Sequence, residues 1–392
     1  MFQFAYKIAA PYFEWRKPEL LEGEQSLHKL PPLLKLNGIE SVLIVTDQGI
    51  TNIGLHERLL VGLEGKDIDY VIYDKTLPNP TIDHIEEALK IYQENHCHGI
   101  IGFGGGSPID CAKGVAARVA RPHKTIPQMK GQLKVRKPTP PLIAVPTTAG
   151  TGSEATVAAV ISNSETHEKY AINDHVLIPN IAVLDPLLTV KLPPQITSTT
   201  GMDALTHAVE AYIGRSNTEE TIQCSKKAVQ LIFENLFEAY SNGANIEART
   251  HMQKASYLAG VAFTRAYVGY VHAIAHTLGG FYSVPHGLAN AIILPYVLEY
   301  YGESVHQKLA DLADLIGISR TDDTDSLKSK RFIEAIKKLN HEMNIPNKLD
   351  CIQEHDLPLM VERAFQEANP LYPVPRILDK YDLYNIYEMI KE

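Results

Sequence analysis

Three histidines fall within the segment from Gly269 to Ala291, GYVHAIAHTLGGFYSVPHGLANA. His272 and His276 are four residues apart, a spacing that places both side chains on one face of a helix. His286 follows in PHG, beyond a Gly-Gly pair that is expected to end this helix. Imidazole binds metals and transfers protons near neutral pH. The segment therefore predicts a metal ligand, a proton carrier, or both.

A second segment, TTGMDALTHAVEAYI, repeats the spacing with Asp203 and His207. One carboxylate with several imidazoles is the ligand set of a borderline divalent metal such as iron(II) or zinc, and pairs from two helices often build such sites. Taken singly, each histidine also fits a structural role. The small apolar residues around them, where an uncompensated polar side chain is costly, favour the metal site. The spacing leaves open whether His276 or His286 completes the ligand shell.

The segment GFGGGSPIDCAKG is a candidate phosphate-binding loop, because it follows a predicted strand and opens a predicted helix. Its three glycines let backbone N–H groups and the helix N-terminus approach a pyrophosphate closely. Ser107 is predicted as the helix N-cap, with Pro108 at the first helical position and Asp110 at the third. The G-x-G-x-x-G fingerprint is not met and the loop follows the third strand, so this is not a standard Rossmann motif. A plain tight turn is the alternative.

Two further segments follow predicted strands. Asp47 ends the first strand, where its carboxylate can accept both ribose hydroxyls of an adenosine and repel a 2′-phosphate, which favours NAD over NADP. The alternative is a solvated aspartate in the turn TDQG. The segment PTTAGTGSE, from Pro146 to Glu154, carries three threonines and a serine among small residues. Such a loop either wraps polar parts of a cofactor or forms a plain turn.

The first half of the chain alternates short apolar runs with amphipathic ones, which predicts a parallel sheet with helices on both faces. Thr81 is predicted to cap one of these helices. Strands are predicted at residues 41–47, 69–74, 98–106, 140–148 and 181–185. After residue 201 strand-like runs stop and successive helices follow, one with an apolar stripe from Ala228 to Ala239.

We therefore predict an α/β plus all-α architecture. Residues 1–193 are expected to form a dinucleotide-binding domain built on a doubly wound parallel sheet. Residues 194–392 are expected to form an all-helical metal-binding and catalytic domain. The cleft between two such domains is the natural place for a ligand.

Composition limits the choice of partners. A formal net charge of −9, with no evident Lys/Arg cluster, argues against nucleic acid. No segment approaches the roughly 18 apolar residues of a membrane span, and the first residues show no basic leader ahead of an apolar core. Four scattered cysteines without CxxC spacing fit reduced thiols. We expect a cytoplasmic protein with a small-molecule ligand and no nucleic-acid or membrane partner.

Six segments carry a resemblance to a known family. VLIVTD, LPNPT, GGGSPIDCAK, PTTAGTGSEAT, GMDALTHAVEAY and HAIAHTLGGFYSVPHGLANA occur in order between Val42 and Ala291. Together they resemble the iron-dependent alcohol dehydrogenases, also called iron-activated or type III. The resemblance implies an NAD-binding α/β domain followed by a helical domain, in agreement with the patterns above. It also implies a homodimeric enzyme that uses Fe2+ to transfer hydride between a primary alcohol or diol and NAD. Because the same ligand set also binds zinc, Zn2+ is a possible substitute, and availability decides between the two metals.

Carried over residue by residue, the resemblance implies that Asp203, His207, His272 and His286 are the metal ligands. It leaves His276 beside the substrate and the nicotinamide, either as a proton relay or only as part of the pocket wall. The cofactor contacts that it implies are Asp47, Asn79, Gly105, Gly106, Ser107, Thr147, Thr148, Thr151 and Lys169. Asn79 and Lys169 rest on the resemblance alone.

The resemblance also implies that Phe263 forms part of the pocket wall. Two features depart from the family pattern. Thr277 stands where the family usually has proline, so the helix is expected to continue further. The stretch before Glu22 is longer than usual and is a candidate oligomer contact.

The metal is expected to act as a Lewis acid on the substrate oxygen. Two alternatives are a dehydroquinate-synthase-like lyase and a non-enzymatic NAD- and metal-binding sensor. The lyase also combines NAD with a divalent metal, but a phosphate-bearing substrate would require more Lys and Arg than the helical motifs supply.

Overall fold

The computed structural model describes residues 15–164 and 169–392. The described chain folds into two compact units, Trp15–Lys191 and Leu192–Glu392. The predicted boundary after residue 193 lies two residues from this division. Most of the N-terminal stretch considered as an oligomer contact lies outside the described residues. Among the described helices, none combines the length and the apolar character that crossing a membrane requires.

The first unit is built on a parallel sheet. The strands are β1 (Glu19–Glu22), β2 (Ser41–Val45), β3 (Asp69–Tyr73), β4 (Gly99–Gly104), β5 (Gly131–Gln132), β6 (Leu142–Pro146), β7 (Ala158–Ser162), β8 (Lys169–Asn173) and β9 (Ile181–Leu184). Six of them pair in the order β1-β9-β6-β4-β2-β3, all parallel. All five predicted strands lie in this sheet.

Helices cover both faces of the sheet. They are α1 (Leu30–Leu36), α2 (Gln48–Asn52), α3 (Glu57–Glu64), α4 (Ile82–Glu94) and α5 (Gly106–Ala120). Alternate residues of β2 point to opposite faces: Leu43 and Val45 pack with α4 and α5, whereas Val42 and Ile44 pack with α1 and α3. The predicted doubly wound arrangement is confirmed. Thr81 caps α4 by accepting a hydrogen bond from the His84 N–H, as predicted.

Sequence reasoning missed a second sheet, in which β7 pairs antiparallel with β8, and β5 pairs parallel with β8. In β7 and β8 buried residues alternate with partly exposed ones, whereas every residue of β4 is buried. The predicted strands were recognised as continuous apolar runs, which mark strands covered on both faces. The short alternating strands of the second sheet do not give that signal.

The helix after the glycine loop begins earlier than predicted. Gly105 is the N-cap of α5, and no side chain caps it. Ser107 instead lies inside the first turn, where its hydroxyl accepts a hydrogen bond from the Asn79 N–H at 3.2 Å. The Asp110 carboxylate is also engaged elsewhere, by the Ser153 hydroxyl and the Val160 N–H. Both predicted capping groups therefore serve tertiary contacts, and the N-cap assignment to Ser107 is wrong.

The second unit is helical, as predicted. Its helices are α6 (Pro194–Ile213), α7 (Glu219–Ser241), α8 (Ile246–Ala266), α9 (Tyr270–Tyr282), α10 (His286–Tyr301), α11 (His306–Leu315), α12 (Asp325–Glu342), α13 (Leu357–Ala368) and α14 (Lys380–Ile390). The predicted stripe of α7, from Ala228 to Ala239, is buried.

The end of α9 differs from the prediction at the Gly-Gly pair. The helix runs through Gly279 and Gly280 to Tyr282, and its C-cap, Ser283, adopts a left-handed conformation with φ of 55°. Thr277 lies inside the helix, and its hydroxyl donates to the Ile274 carbonyl at 2.7 Å. The helix continues beyond Thr277, as expected from the absence of proline there. The helix end predicted at Gly279 and Gly280 is wrong.

Candidate metal centre and cofactor loop

Four of the predicted site residues converge in the helical unit. Asp203 and His207 lie one turn apart on α6, His272 lies on α9, and His286 is the first residue of α10. Each offers a ligand atom, and these atoms all lie within 4.8 Å of one another. Asp203 Oδ1 is 3.6 Å from His286 Nε2 and 3.9 Å from His272 Nε2. Three elements thus bring one carboxylate and three imidazoles to a single point.

The four groups fit a metal ion. Metal–ligand bonds of about 2.1 Å place two ligands of one ion no more than roughly 4.2 Å apart, so small side-chain shifts would close the cluster. Asp203, His207 and His272 are buried, and a cation would compensate the buried carboxylate. Nitrogen with oxygen donors suits iron(II) or zinc.

Glu210, which sequence reasoning missed, orients one of these histidines. The side chain is buried on α6, one turn beyond His207. Its Oε2 accepts hydrogen bonds from His272 Nδ1 at 2.6 Å and the Gly269 N–H at 2.9 Å, while Oε1 accepts from the Val271 N–H at 2.8 Å. Nδ1 of His272 is therefore held by a carboxylate, and Nε2 is the ring nitrogen on the side of Asp203. Such carboxylates fix ligand tautomers in metal sites.

Asn290 is a second residue that was missed. It is fully buried on α10, one turn after His286. Its Nδ2 lies 2.7 Å from Asp203 Oδ1 and 3.2 Å from Nε2 of both His272 and His286. The amide nitrogen thus contacts the ligand atoms of three of the four residues, and its two N–H groups can donate to two of them at a time. The i, i+4 spacing within HGLAN was the available signal.

His276 lies outside the four-residue cluster but beside it. Its ring stacks on that of His286, with centroids 5.2 Å apart. Nδ1 is 2.6 Å from Glu367 Oε1, an oxygen that also accepts a hydrogen bond from the Tyr372 hydroxyl at 2.7 Å. Burial acts to raise the pKa of the Glu367 carboxyl. The charge of His276 and its hydrogen bond outweigh this effect and hold that pKa below its ordinary value. The structure thus places His286 with Asp203 and pairs His276 with a carboxylate.

An aromatic ring covers one side of the cluster. Phe263, on α8, stacks on His207 with centroids 4.1 Å apart and an interplanar angle of 12°. His207 in turn stacks on His272 at 4.5 Å. Phe263 is partly exposed, so it offers an apolar surface next to the candidate ligands.

The candidate cofactor residues gather at the carboxyl ends of neighbouring strands. Asp47 follows β2, Gly105 follows β4, and Thr147 follows β6. Gly104 has φ of +150°, which L-residues rarely adopt, and a Cβ on it would lie 2.6 Å from the Pro108 ring. The Thr147 N–H donates to the Gly104 carbonyl at 2.9 Å. Ligands of doubly wound folds bind at this edge of the sheet.

Two threonines pack against the loop. A Cβ on Gly106 would lie 2.8 Å from the Thr151 side chain, and one on Gly105 would lie 3.5 Å from that of Thr148. The absence of side chains at both glycines therefore leaves the backbone of the helix N-terminus in contact with the PTTAGTGSE segment.

Asn79 and Lys169 join the same group. The Asn79 N–H donates to the Ser107 hydroxyl, and Lys169 Nζ donates to Asn79 Oδ1 at 2.8 Å. Asp47 remains next to the glycine loop but also caps α2, where it accepts a hydrogen bond from the Ile50 N–H at 3.0 Å. Seven of the nine residues implied as cofactor contacts thus lie in the segments that follow β2, β4 and β6. Asn79 is hydrogen-bonded to one of them, Ser107, and Lys169 is hydrogen-bonded to Asn79.

Comparison with known proteins decides the family. Residues 18–186 match the model of the iron-containing alcohol dehydrogenases, and residues 197–390 match that of the C-terminal part of the Fe-containing alcohol dehydrogenase family. The chain belongs to the iron-containing alcohol dehydrogenase family. The predicted family and enzyme class, an oxidoreductase of the alcohol dehydrogenase type, are confirmed.

Relatives within the iron-containing alcohol dehydrogenases cover almost the whole chain. Alcohol dehydrogenase 4 of Saccharomyces cerevisiae is 40% identical over 350 residues, covering 88% of this chain and 90% of the yeast protein. The 1,3-propanediol dehydrogenase of Citrobacter freundii is 40% identical over 353 residues, with the same coverage.

Solved structures of this family share the fold. The alcohol dehydrogenase from Oenococcus oeni superposes with a TM-score of 0.93 at 36% identity, covering 96% of this chain and 100% of that one. Sulfoacetaldehyde reductase from Bifidobacterium kashiwanohense, solved in complex with NAD+, gives a TM-score of 0.85 at 27% identity, covering 96% and 98%. The predicted fold class is confirmed.

In this family member a buried lysine joins α5, which follows the glycine loop, to the segment from Ser153 to Ala158. Lys113 Nζ, on α5, donates to the Thr156 carbonyl and hydroxyl, both at 2.9 Å, and to the Ala158 carbonyl at 2.8 Å. Burial lowers the pKa of Lys113 to about 8 and raises that of the neighbouring Glu154 to about 7. Lys113 therefore ties the helix after the glycines to the segment that carries Thr151.

Proposed function

We propose that the protein is an NAD-linked, iron-dependent dehydrogenase that interconverts a primary alcohol or diol with its aldehyde. The observation that carries this proposal is the convergence of one carboxylate and three imidazoles, with ligand atoms within 4.8 Å, in a member of the iron-containing alcohol dehydrogenase family. The names of its relatives, among them a 1,3-propanediol dehydrogenase and a lactaldehyde reductase, support small alcohols and diols.

The proposed metal ligands are Asp203, His207, His272 and His286. The chemistry supplied by bound iron is Lewis acidity toward the alcohol oxygen, and that supplied by NAD is acceptance of the hydride. Zinc is a substitute on ligand chemistry, and availability in the cell decides between the two metals. Within the chain, Glu210 holds the tautomer of His272.

The proposed NAD site is formed by the glycine loop and the residues around it. Backbone N–H groups at Gly105, Gly106 and Ser107 would bind the pyrophosphate at the N-terminus of α5. Asp47 would bind the adenosine ribose and repel a 2′-phosphate, favouring NAD over NADP. NAD+ in the related sulfoacetaldehyde reductase structure supports this choice.

We propose His276 as the residue that moves the alcohol proton. Because Glu367 engages Nδ1 at 2.6 Å, Nε2 is the nitrogen that would accept the proton. The stacking of His276 on His286 supports this role, since it places the ring next to a proposed ligand. In the alternative role, His276 only shapes the pocket.

We also infer that the protein is a cytoplasmic homodimer, as the family resemblance implies. Mass measurement by light scattering during size-exclusion chromatography tests the assembly.

NADH formation from a panel of short primary alcohols and diols, with and without ferrous ion under anaerobic conditions, tests the reaction class. We expect turnover that depends on iron and a preference for NAD over NADP that narrows in Asp47→Gly. If no alcohol or aldehyde in a broad panel supports iron-dependent turnover, the proposed reaction is wrong. If Asp47→Gly leaves the cofactor preference unchanged, Asp47 does not bind the ribose.

A further inference from the structure

The sequence contains one strongly basic segment that the proposed function does not use. Between Asp110 and Glu154 there is no acidic residue, although the chain carries a net charge of −9. The same interval contains Lys113, Arg118, Arg121, Lys124, Lys130, Lys134, Arg136 and Lys137. The expectation that the chain has no Lys/Arg cluster is therefore wrong, since acids elsewhere hid this local excess in the overall charge.

Some of these cations have structural partners. Arg118 forms an ion pair with Glu86 at 2.6 Å, Lys113 is buried against the cofactor loop, and Lys130 lies over the ring of Tyr170. Four others line one concavity of about 250 Å³. They are Arg121, Lys124, Lys134 and Arg136, and they share it with Gln132 and Leu133. None of the lining residues is acidic, and no ion pair joins these four to a carboxylate in the described part of the chain.

Two hydrogen bonds join the two walls of this concavity, the end of α5 and the loop around Lys134. Arg121, at the C-terminal end of α5, donates from Nε to the Val135 carbonyl. Lys124 Nζ donates to the Lys134 carbonyl at 2.8 Å. Each contact uses one donor of its side chain, whereas a guanidinium has five N–H donors and an ammonium three. The remaining donors of both side chains are not used by these contacts.

The loop that forms the second wall is held by the buried carboxylate of Asp174. Asp174 Oδ2 accepts hydrogen bonds from the backbone N–H of Val135 at 3.0 Å and of Arg136 at 2.9 Å. Leu133 and Arg136 both adopt left-handed backbone, with φ of 52° and 50°. Such conformations are costly outside glycine and persist only where surrounding contacts impose them. The loop is thus fixed in a shape that brings Lys134 and Arg136 to the same concavity as the helix end.

We propose that this concavity, which we call the basic pocket, binds a compact anion that carries two or more charges, such as a phosphate or diphosphate group. Arg121 and Lys124 are partly buried and Lys134 and Arg136 are exposed, so a multivalent anion in this concavity would have four cationic side chains along its walls. Arg forks and Lys ammonium groups are the side chains that proteins use to bind phosphate oxygens.

The size of the basic pocket argues against a duplex nucleic acid as its ligand, and its position separates it from the proposed NAD site. A duplex nucleic acid needs an extended positive surface, whereas these cations converge on one small volume of a chain with net negative charge. The cofactor loop also suits a pyrophosphate, but it lies at the opposite end of α5, about 22 Å away for a helix of 15 residues. The basic pocket is therefore a site distinct from the NAD site.

Calorimetric titration of the full-length protein with inorganic pyrophosphate tests the proposal, with and without saturating NAD. Lys134→Gln combined with Arg136→Gln removes two pocket charges whose side chains make no hydrogen bond in the described structure. Arg58→Gln combined with Lys66→Gln is the matched control, because it removes the same charge from exposed positions on the same unit.

We expect pyrophosphate to bind in the presence of NAD, at least tenfold more weakly to the pocket variant, and unchanged to the control. NAD-linked turnover of both variants should equal that of the wild type, which also shows that they fold. Equal affinity in the pocket variant, complete displacement by NAD, or no binding at millimolar pyrophosphate would each overturn the proposal. So would binding of a DNA duplex through these residues in preference to pyrophosphate.

Discussion

Two histidines one turn apart on α9 are each held by a glutamate from a different helix. Glu210 of α6 engages Nδ1 of His272, and Glu367 of α13 engages Nδ1 of His276, both at 2.6 Å. The same hydrogen bond has different consequences at the two positions. It presents Nε2 of His272 to the cluster around Asp203, whereas His276 lies outside that cluster.

The Glu367–His276 contact predicts a kinetic effect. Glu367→Gln removes the negative charge that would stabilise a protonated His276, so we expect kcat to fall about tenfold while iron content and the alcohol KM stay unchanged. Glu362→Gln, on the same helix, is the control.

The double variant of Glu367→Gln and His276→Ala separates positioning from a structural role. If Glu367 acts through His276, the double variant should be no slower than His276→Ala alone. Additive losses, or iron loss in Glu367→Gln alone, would show that Glu367 acts independently of His276.

Residue spacing and the family resemblance pointed to all four clustered residues and to His276. They could not reveal Glu367, which lies 91 positions from His276 and meets it only through packing of α13 against α9. Glu210 lies seven residues after Asp203 on the same helix face. This spacing could not reveal its role, which depends on the backbone N–H groups of Gly269 and Val271. Ligands are recognisable by their chemistry, whereas the groups that orient them are defined by tertiary structure.

Among the strands and helices, those that are buried on both faces could be predicted best from the sequence. Strands β2, β4, β6 and β9 were readable because each is a nearly continuous apolar run covered on both faces. The start of α5 was misread because the side chains that looked like caps bond to other segments. The two glycines inside α9 misled for a different reason, since glycine in a helix interior costs only about 1 kcal/mol relative to alanine and does not by itself end a helix.

The buried charges beside the cofactor loop predict how stability depends on pH. Burial raises the pKa of Glu154 from its ordinary value of 4.5 to about 7. Between these two pH values the folded protein keeps a proton on Glu154 that the unfolded chain has released. The folded state therefore binds more protons in this window, and the free energy of unfolding contributed by Glu154 falls as pH rises from about 4.5 to 7.

Glu154→Gln removes that titration. Relative to the wild type, the variant should gain roughly 2 kcal/mol of unfolding free energy between pH 5 and pH 7.5. Urea unfolding at the two pH values measures the difference, and Glu40→Gln, at an exposed position of the same unit, is the control. A difference between wild type and variant that is independent of pH would contradict the assignment.

At the scale of the whole molecule, the proposed sites divide between the two units. The unit Trp15–Lys191 provides the proposed NAD loop and, at the other end of α5, the basic pocket. The unit Leu192–Glu392 provides the metal cluster and His276. The acid-free interval that builds the basic pocket was visible in the sequence. The convergence of four of its cations was not, because it depends on the loop shape that Asp174 imposes.

We propose that iron held by Asp203, His207, His272 and His286 is required for alcohol oxidation. The most direct test is anaerobic titration of ferrous ion into chelator-treated protein, with bound iron and the rate of NADH formation measured on the same samples. We predict a rate proportional to occupancy up to one iron per chain. We also predict iron binding lost in His272→Ala and His286→Ala but kept, with a lower rate, in His276→Ala. Full activity without metal, wild-type iron binding in His286→Ala, or loss of iron in His276→Ala would contradict the account.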